Sequence, residues 1–118
     1  MDRLKNPTIT FSKNWNNKLM CNSFSTFRLW EQRKYEYYLG HQSDIFDVIL
    51  KKKFFRTAKL VRIETMDLRT AADLYSYLDA NMTQSQFYEL MKKMYSKKPE
   101  WKGWETKLIF LIFGEAGE

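Results

Sequence analysis

Cysteine and histidine are almost absent from this chain of 118 residues, which has Cys21 and His41 as its single representatives of each. A single cysteine excludes an internal disulfide and is typical of proteins from a reducing compartment. One residue of each type also excludes a zinc site built from the usual Cys and His ligands. We therefore expect no metal and no cofactor. A catalytic Cys–His pair is disfavoured, because the two residues lie 20 positions apart in the sequence.

Long apolar segments are missing as well. The longest apolar run, LIFLIF at 108–113, is far shorter than the roughly 20 residues that span a membrane. Residues 1–11 contain no apolar stretch of signal-peptide length. These two absences predict a soluble, cytoplasmic protein without a membrane partner.

Proline and glycine are scarce, at two and four residues, and no stretch rich in them divides the chain. A chain of this length can bury one hydrophobic core but not two. Its 44% hydrophobic and 29% charged residues are typical of a globular protein rather than a disordered one. We predict a single domain over 1–118, with its core at about 8–113 and a mobile tail at 114–118.

Positive charge is abundant and unevenly placed. Residues 1–62 contain 13 Lys and Arg against 5 Asp and Glu, a net of +8, whereas residues 63–118 contain 7 against 9, a net of −2. A basic half favours an anionic partner, most commonly nucleic acid. Lysines also serve solubility, so the asymmetry shifts the balance toward a partner only modestly.

The hydrophobic pattern predicts strands and helices in a mixed order. Alternating and β-branched segments predict strands at 8–11, 24–30, 44–50, 57–68 and 105–113. Apolar residues at helical spacing predict helices at 15–22, 69–81 and 83–96. Polar stretches predict a loop at 31–43 with room for a short strand at 35–39, a basic linker at 51–56 and a loop at 97–104. The pattern favours an α+β fold, a small mixed sheet or β-barrel with a short helix after the first strand and two helices before the last.

The clearest helix signal lies at 83–96. Thr83 followed three residues later by Gln86 is a capping-box pattern. An apolar stripe then recurs at helical spacing, formed by Phe87, Leu90, Met91 and Met94. We interpret this stripe as core rather than as a cofactor-binding surface.

The strand at 24–30 contains one arginine among mostly apolar neighbours. Thr26 and Arg28 have the same parity, so they share a face of the strand and lie about 7 Å apart. That spacing lets both side chains reach one small ligand. Taken alone, however, Arg28 fits a structural ion pair or an edge-strand charge, and Thr26 fits simple β propensity.

Basic residues interleaved with aromatic rings occur at two further places. The first is the segment with Lys51, Lys52, Lys53 and Arg56 around Phe54 and Phe55. The second is Arg33 and Lys34 beside Trp30, Tyr35, Tyr37 and Tyr38. Such clusters suit the phosphates and stacked bases of single-stranded nucleic acid. A solvated hairpin turn explains 51–56 equally well.

Several short motifs follow one another in a recognisable order. They are TF at 10–11, TFR at 26–28, Gly40, AKLVRI at 58–63 and DANMTQSQF at 79–87. In their order and spacing they resemble the ASCH domains, a branch of the PUA-like superfold, over about residues 8–113. The NMT at 81–83 is similar to the small bacterial acetylcytidine amidohydrolases of this family.

The resemblance implies a small PUA-like β-barrel with a cleft beside the Thr-x-Arg strand, where family members bind RNA or modified nucleosides. A few members hydrolyse an amide on a modified cytidine with a Lys, a Thr and an acidic residue. The Thr corresponds to Thr26, whereas the position of the Lys is occupied by Ser23. The acidic residue corresponds to Ala80, with Asp79 adjacent, and the nearest spare amine is Lys18.

A threonine hydroxyl is a poor nucleophile without a base beside it, so the missing lysine favours binding over catalysis. The leading hypothesis is an RNA- or modified-nucleoside-binding module. Its predicted ligand-binding residues are Ser23, Thr26, Arg28, Arg33, Lys34, Lys51, Lys52, Lys53 and Arg56. The alternative is a small hydrolase of a modified nucleoside or RNA, whose catalytic residues would be Thr26, Asp79 and Lys18. A third hypothesis is an adaptor whose basic face meets an acidic protein.

Overall fold

The computed structural model describes residues 6–12, 21–73 and 83–115. Five strands form one sheet: β1 (Thr8–Phe11), β2 (Phe24–Leu29), β3 (Ile45–Leu50), β4 (Lys53–Asp67) and β5 (Lys107–Gly114). The helical elements are α1 (Gln32–Gly40), α2 (described at 68–73), α3 (Gln84–Tyr95) and a 3₁₀ turn (Gly103–Glu105). The fold is therefore mixed α+β, as the hydrophobic pattern predicts.

The sheet has the strand order β1-β3-β4-β5-β2, so β1 and β2 are its two edges. The pairing of β1 with β3 is parallel and the other pairings are antiparallel. β4 pairs with β3 through its first half and with β5 through its second, and its register shifts between Leu60 and Arg62. Such a shift increases the local bend of a strand. The sheet curls into a half-barrel whose edges approach each other, since the rings of Phe11 and Phe24 lie 6.1 Å apart.

Each face of the sheet carries its own core. The concave face is filled by residues of all five strands and by Tyr38 of α1, namely Ile9, Phe24, Tyr38, Phe46, Val48, Ala58, Leu60, Ile109, Leu111 and Phe113. The convex face packs against α2 and α3 through Phe27, Leu68, Ala71, Ala72, Phe87, Met91, Leu108 and Phe110. β5 contributes to both clusters, which explains its continuous apolar sequence and confirms its predicted central position.

Both helices before the last strand begin at side-chain caps. The capping box predicted at Thr83 is present, because the Thr83 hydroxyl accepts from the Gln86 backbone and the Gln86 side chain accepts from the Thr83 backbone. At the start of α2, the Thr70 backbone donates to Asp67 Oδ1 over 2.8 Å. Hydrogen bonds from Thr70 hold the pKa of Asp67 below its usual value. In α3, Met94 is 49% exposed, so the buried part of the predicted stripe ends at Met91.

The prediction of a loop at 31–43 with a short strand at 35–39 is wrong, because residues 32–40 form α1. This helix lacks the sequence signal of α3, since Glu31 at its N-cap makes no side-chain capping bond. A Gln32–Glu36 hydrogen bond of 2.6 Å on its surface supports it. Tyr38 is buried in the concave core, so tertiary packing stabilises α1 more than local propensity does.

The basic segment predicted at 51–56 does join two antiparallel strands, but the connection is shorter than predicted. The turn consists of Lys51 and Lys52 alone. Residues 53–56 belong to β4, because they lie opposite residues of β3 in the antiparallel pair. Of the helix predicted at 15–22, residues 21 and 22 lie in a bend and 15–20 lie outside the described residues. The second half of the helix predicted at 69–81 and residues 116–118 of the predicted tail also lie outside them.

No helix within residues 6–12, 21–73 and 83–115 combines the length and the apolar character needed to cross a membrane.

Candidate functional site

Arg28 joins the two edge strands of the half-barrel. Its Nη2 donates to the backbone oxygen of Thr10 in β1 over 2.7 Å. Its guanidinium carbon lies 4.7 Å from the centre of the Phe11 ring, within the range of a cation–π interaction. The side chain therefore crosses from β2 to β1, at the place where the sheet would otherwise be open.

The guanidinium is not fully satisfied by these contacts. Arg28 Nε is buried and has no hydrogen-bond partner among the described residues. Two nearby atoms, Trp30 Nε1 and Glu31 Oε2, are also buried and have no hydrogen-bond partner among the described residues. Glu31 Oε2 does have a charged neighbour, because it lies 3.5 Å from Lys34 Nζ. Buried polar atoms are nearly always hydrogen-bonded in folded proteins. Two such atoms, in Arg28 and Trp30, have no polar partner in the described part of the chain and mark this end of β2 as a candidate ligand site.

Two tyrosines lie in the electrostatic field of Arg28. Burial raises the pKa of the Tyr38 hydroxyl, and the positive charge of Arg28 opposes that rise. Burial also raises the pKa of Tyr95, while Arg28 and a hydrogen bond from the Leu29 backbone oppose it. Both phenols therefore stay neutral near pH 7, and neither provides a phenolate counterion for Arg28.

Thr26 lies two residues before Arg28 in β2, on the same face of the strand. It is 5% exposed and stands opposite Leu111 of β5, so its side chain is part of the concave interior. Ser23, at the position of the family's lysine, is exposed in the bend that precedes β2. Lys18 and Asp79, the other two residues of the hydrolase hypothesis, lie outside the described residues.

The predicted basic segment lies at the tip of the β3–β4 hairpin. Lys51 and Lys52 form its turn, and both they and Lys53 are exposed. Phe54 is 62% exposed, which makes its ring accessible to a stacking partner. Arg56 differs from the lysines, because it is partly buried and donates to the backbone oxygens of Cys21 at 2.5 Å and Thr57 at 3.1 Å.

A cavity of about 300 Å³ lies between this hairpin and β1. It is lined by Thr10, Phe11, Ser12, Ile49, Lys51 and Lys52. Thr10 and Phe11 are the two residues that Arg28 contacts, and the Lys51 backbone donates to the Phe11 oxygen over 2.9 Å. The structure thus brings Arg28 and the two turn lysines to the same short segment of β1.

Arg33 and Lys34 lie on the exposed surface of α1. Lys34 pairs with Glu31 one turn earlier at 3.5 Å, and the lysine end of this ion pair is exposed to solvent, which keeps its energetic value small. Neither residue lines the cavity at Thr10–Ser12. Sequence reasoning did not identify Thr10 and Phe11 as site residues, because their proximity to Arg28 depends on the curl of the sheet.

The two turn lysines adopt an unusual backbone conformation. Lys51 and Lys52 have φ of 52° and 69°, and the flanking residues Leu50 and Lys53 are paired, so they form a two-residue hairpin turn that favours Asn-Gly. The left-handed conformation costs a non-glycine residue about 1–2 kcal/mol. Strain of this kind is concentrated at functional sites, where a side chain is required for something other than stability.

Replacing the turn by Lys51→Asn/Lys52→Gly should therefore raise the free energy of unfolding by about 1 kcal/mol. Urea denaturation followed by circular dichroism measures the change. The control Lys51→Ala/Lys52→Ala removes the same charges but keeps the strain, so it should bring no stabilisation. Equal stability of wild type and the Asn-Gly variant would show that the turn is not strained.

Among the described residues, no three His, Cys, Asp or Glu side chains are grouped closely enough to hold a metal ion. No family model matches the sequence, and no curated protein matches it. Its fold is similar to the crystal structure of protein EF3133 from Enterococcus faecalis V583, described as family-model DUF984. The TM-score is 0.69 at 10% sequence identity, over 98% of this chain and 79% of that one. At this identity the likeness establishes the fold alone.

Proposed function

We propose that this protein is an ASCH-like, PUA-like module that binds RNA or a modified nucleoside on the Arg28 side of its half-barrel. The observation that carries the proposal is the way in which Arg28 is held between β2 and β1. Its guanidinium is positioned by Thr10 and Phe11, while its buried Nε has no partner in the described part of the chain. An arginine positioned in this way is suited to a phosphate or to the acceptor edge of a base through its forked guanidinium.

The charge around the cavity at Thr10–Ser12 supports an anionic ligand. Lys51 and Lys52 line it, and neither forms an ion pair within 4.0 Å with another described residue. The nearby Phe54 ring is available for stacking. Cationic side chains beside exposed aromatic rings are the usual elements of single-strand binding.

The hydrolase hypothesis receives less support from the described residues. Thr26 is in place on β2, but it is 5% exposed, and a threonine nucleophile requires a base. The proposed base and acid, Lys18 and Asp79, lie outside the described residues. We therefore propose binding as the function, and hydrolysis of a modified nucleoside as the alternative to assay alongside it.

Fluorescence anisotropy with labelled single-stranded RNA at several salt concentrations tests the proposal. The logarithm of the affinity should fall linearly with the logarithm of salt. Three phosphate contacts, at Arg28, Lys51 and Lys52, would give a slope of roughly −2. Lys51→Ala/Lys52→Ala should reduce that slope, whereas Lys92→Ala/Lys93→Ala, at the end of α3, removes the same charge and should not.

Absence of RNA binding at low salt would contradict the proposal for RNA. A modified nucleoside is tested in parallel by incubating the protein with acetylated cytidine and analysing both binding and product. An acidic polypeptide of matched charge that binds as tightly as RNA would instead favour the adaptor hypothesis.

A further inference from the structure

The convex face of the sheet is covered by helices over only a part of its width. The core that packs against α2 and α3 takes its strand residues from β2, β5 and the end of β4, and none from β1, β3 or the first half of β4. Five residues of β1 and β3 point to the convex face, because they alternate with residues of the concave core. All five are exposed or half-buried, namely Thr8, Thr10, Ile45, Asp47 and Ile49. This part of the convex face is therefore accessible to a partner.

Phe54 presents an aromatic ring on the accessible part of the convex face. A register shift between β3 and β4 places Phe54 opposite Ile49 and leaves Phe55 without an opposite residue. Opposite residues of an antiparallel pair lie on the same face, so Phe54 shares the convex face with Ile49. Phe55, by contrast, packs against the concave core. Phe54 belongs to neither core and is 62% exposed, so its ring is free to contact a ligand.

The ring of Phe54 lies in line with the cavity at Thr10–Ser12. Ile49 stands opposite Thr10 in β1 and opposite Phe54 in β4, so the three residues form one row across the sheet. Neighbouring strands are about 4.8 Å apart, which places the backbones at the two ends of this row about 10 Å apart. Thr10 and Ile49 also line the cavity, together with Lys51 and Lys52. The cationic cavity and the exposed ring are therefore two parts of one surface.

We propose that this surface is a stacking site for the unpaired bases of single-stranded nucleic acid. The inference rests on the proposed function and deepens it by naming the class of substrate. A base stacks on the Phe54 ring, and the adjacent phosphate lies at Lys51 and Lys52. The two lysines supply the attraction for the phosphate, and an aromatic ring accepts the π face of any base. Bases in a duplex have both faces covered by neighbouring base pairs, so Phe54 contributes to the binding of single strands alone.

Fluorescence anisotropy with three labelled probes of equal length tests the proposal. The probes are a single-stranded RNA, an abasic strand with the same phosphates, and an RNA duplex. Phe54→Ala should weaken binding of the single strand by at least about fivefold, which is the usual loss when a stacking ring is removed. The same variant should bind the abasic strand and the duplex as wild type does, within about twofold. Circular dichroism checks that the variant is folded, as expected for an exposed side chain outside both cores.

Two further substitutions at the same position isolate the ring from its apolar surface. Phe54→Leu keeps an apolar side chain but has no π face, so it should lose nearly as much affinity for the single strand as Phe54→Ala. Phe54→Trp keeps an aromatic ring and should bind at least as tightly as wild type. The control Leu39→Ala removes another exposed apolar side chain, 44% exposed and located in α1. It should leave the affinity for all three probes unchanged within about twofold.

The outcomes separate this inference from the proposed function. If RNA binds with the expected salt dependence but Phe54→Ala binds the single strand as wild type does, the stacking site is disproved and the proposed function stands. An equal loss of affinity for the abasic strand also disproves the site, because that probe has no base to stack. If the single strand does not bind to wild type even at low salt, the inference and the proposed function of RNA binding fail together.

Discussion

Replacing Arg28 with alanine should weaken binding of single-stranded RNA by about tenfold or more. A hydrogen bond that involves a charged group contributes about 1.5–3 kcal/mol, and 1.4 kcal/mol corresponds to a factor of ten in affinity. Arg28 should exceed a surface lysine in this respect, because its guanidinium is already oriented by the Thr10 oxygen and the Phe11 ring. Fluorescence anisotropy at one fixed, low salt concentration measures the loss.

The same substitution should destabilise the fold. It removes the side-chain bond between the two edge strands and the contact with Phe11, for which we expect a loss of about 1–2 kcal/mol in the free energy of unfolding. Part of the loss is recovered, because the unpaired Nε is removed from the interior with the rest of the side chain. Urea denaturation of both proteins gives the difference.

Two further variants show which property of Arg28 matters. Arg28→Lys keeps the positive charge but loses the forked donor geometry, so it should restore only a part of the affinity. Arg62→Ala removes an exposed arginine that pairs with Glu64 at 2.6 Å, and it should leave RNA affinity unchanged within about twofold. An Arg28→Ala protein that is less stable but binds RNA as well as wild type would assign Arg28 a purely structural role.

The elements that were predictable from sequence are those with a local signal. α3 begins with a complete capping box, and β5 contains an uninterrupted apolar run because both of its faces are covered. α1 has neither signal. Its nine residues are mostly polar or aromatic and its N-cap is unsatisfied by a side chain, so only its contacts with the concave core reveal it as a helix.

In the candidate site, too, some features follow from local sequence and others depend on the tertiary fold. The shared parity of Thr26 and Arg28 follows from the sequence of one strand. The contact between Arg28 and Thr10 does not, because β1 and β2 are opposite edges of the sheet order and meet only through its curl. The pairing of Trp30 with Lys107 likewise depends on the register between β2 and β5, which the sequence of neither strand specifies.

Phe46→Ala should be the most destabilising of the substitutions considered, at about 3–5 kcal/mol in the free energy of unfolding. Phe46 is fully buried and lies where α1 meets the sheet. Its ring centre lies 5.4 Å from that of Phe113 in β5. On the side of α1, the ring centres of Tyr37 and Tyr38 lie 6.2 Å away and that of the C-cap residue His41 lies 5.9 Å away. Since domains of this kind are stable by only about 5–15 kcal/mol, the variant should approach the threshold of unfolding.

The loss of Phe46 should also reach the candidate site through α1. The Tyr37 hydroxyl accepts from the Thr8 backbone over 3.1 Å, so α1 positions β1, and β1 carries the Thr10 oxygen that orients Arg28. We therefore expect the milder Phe46→Leu to remain folded, to increase hydrogen exchange in α1, and to weaken RNA binding. Phe54→Ala, on the exposed side of the same hairpin, should change stability by no more than about 0.5 kcal/mol. Unchanged RNA affinity in a Phe46→Leu protein with a loosened α1 would mean that Arg28 is oriented independently of this helix.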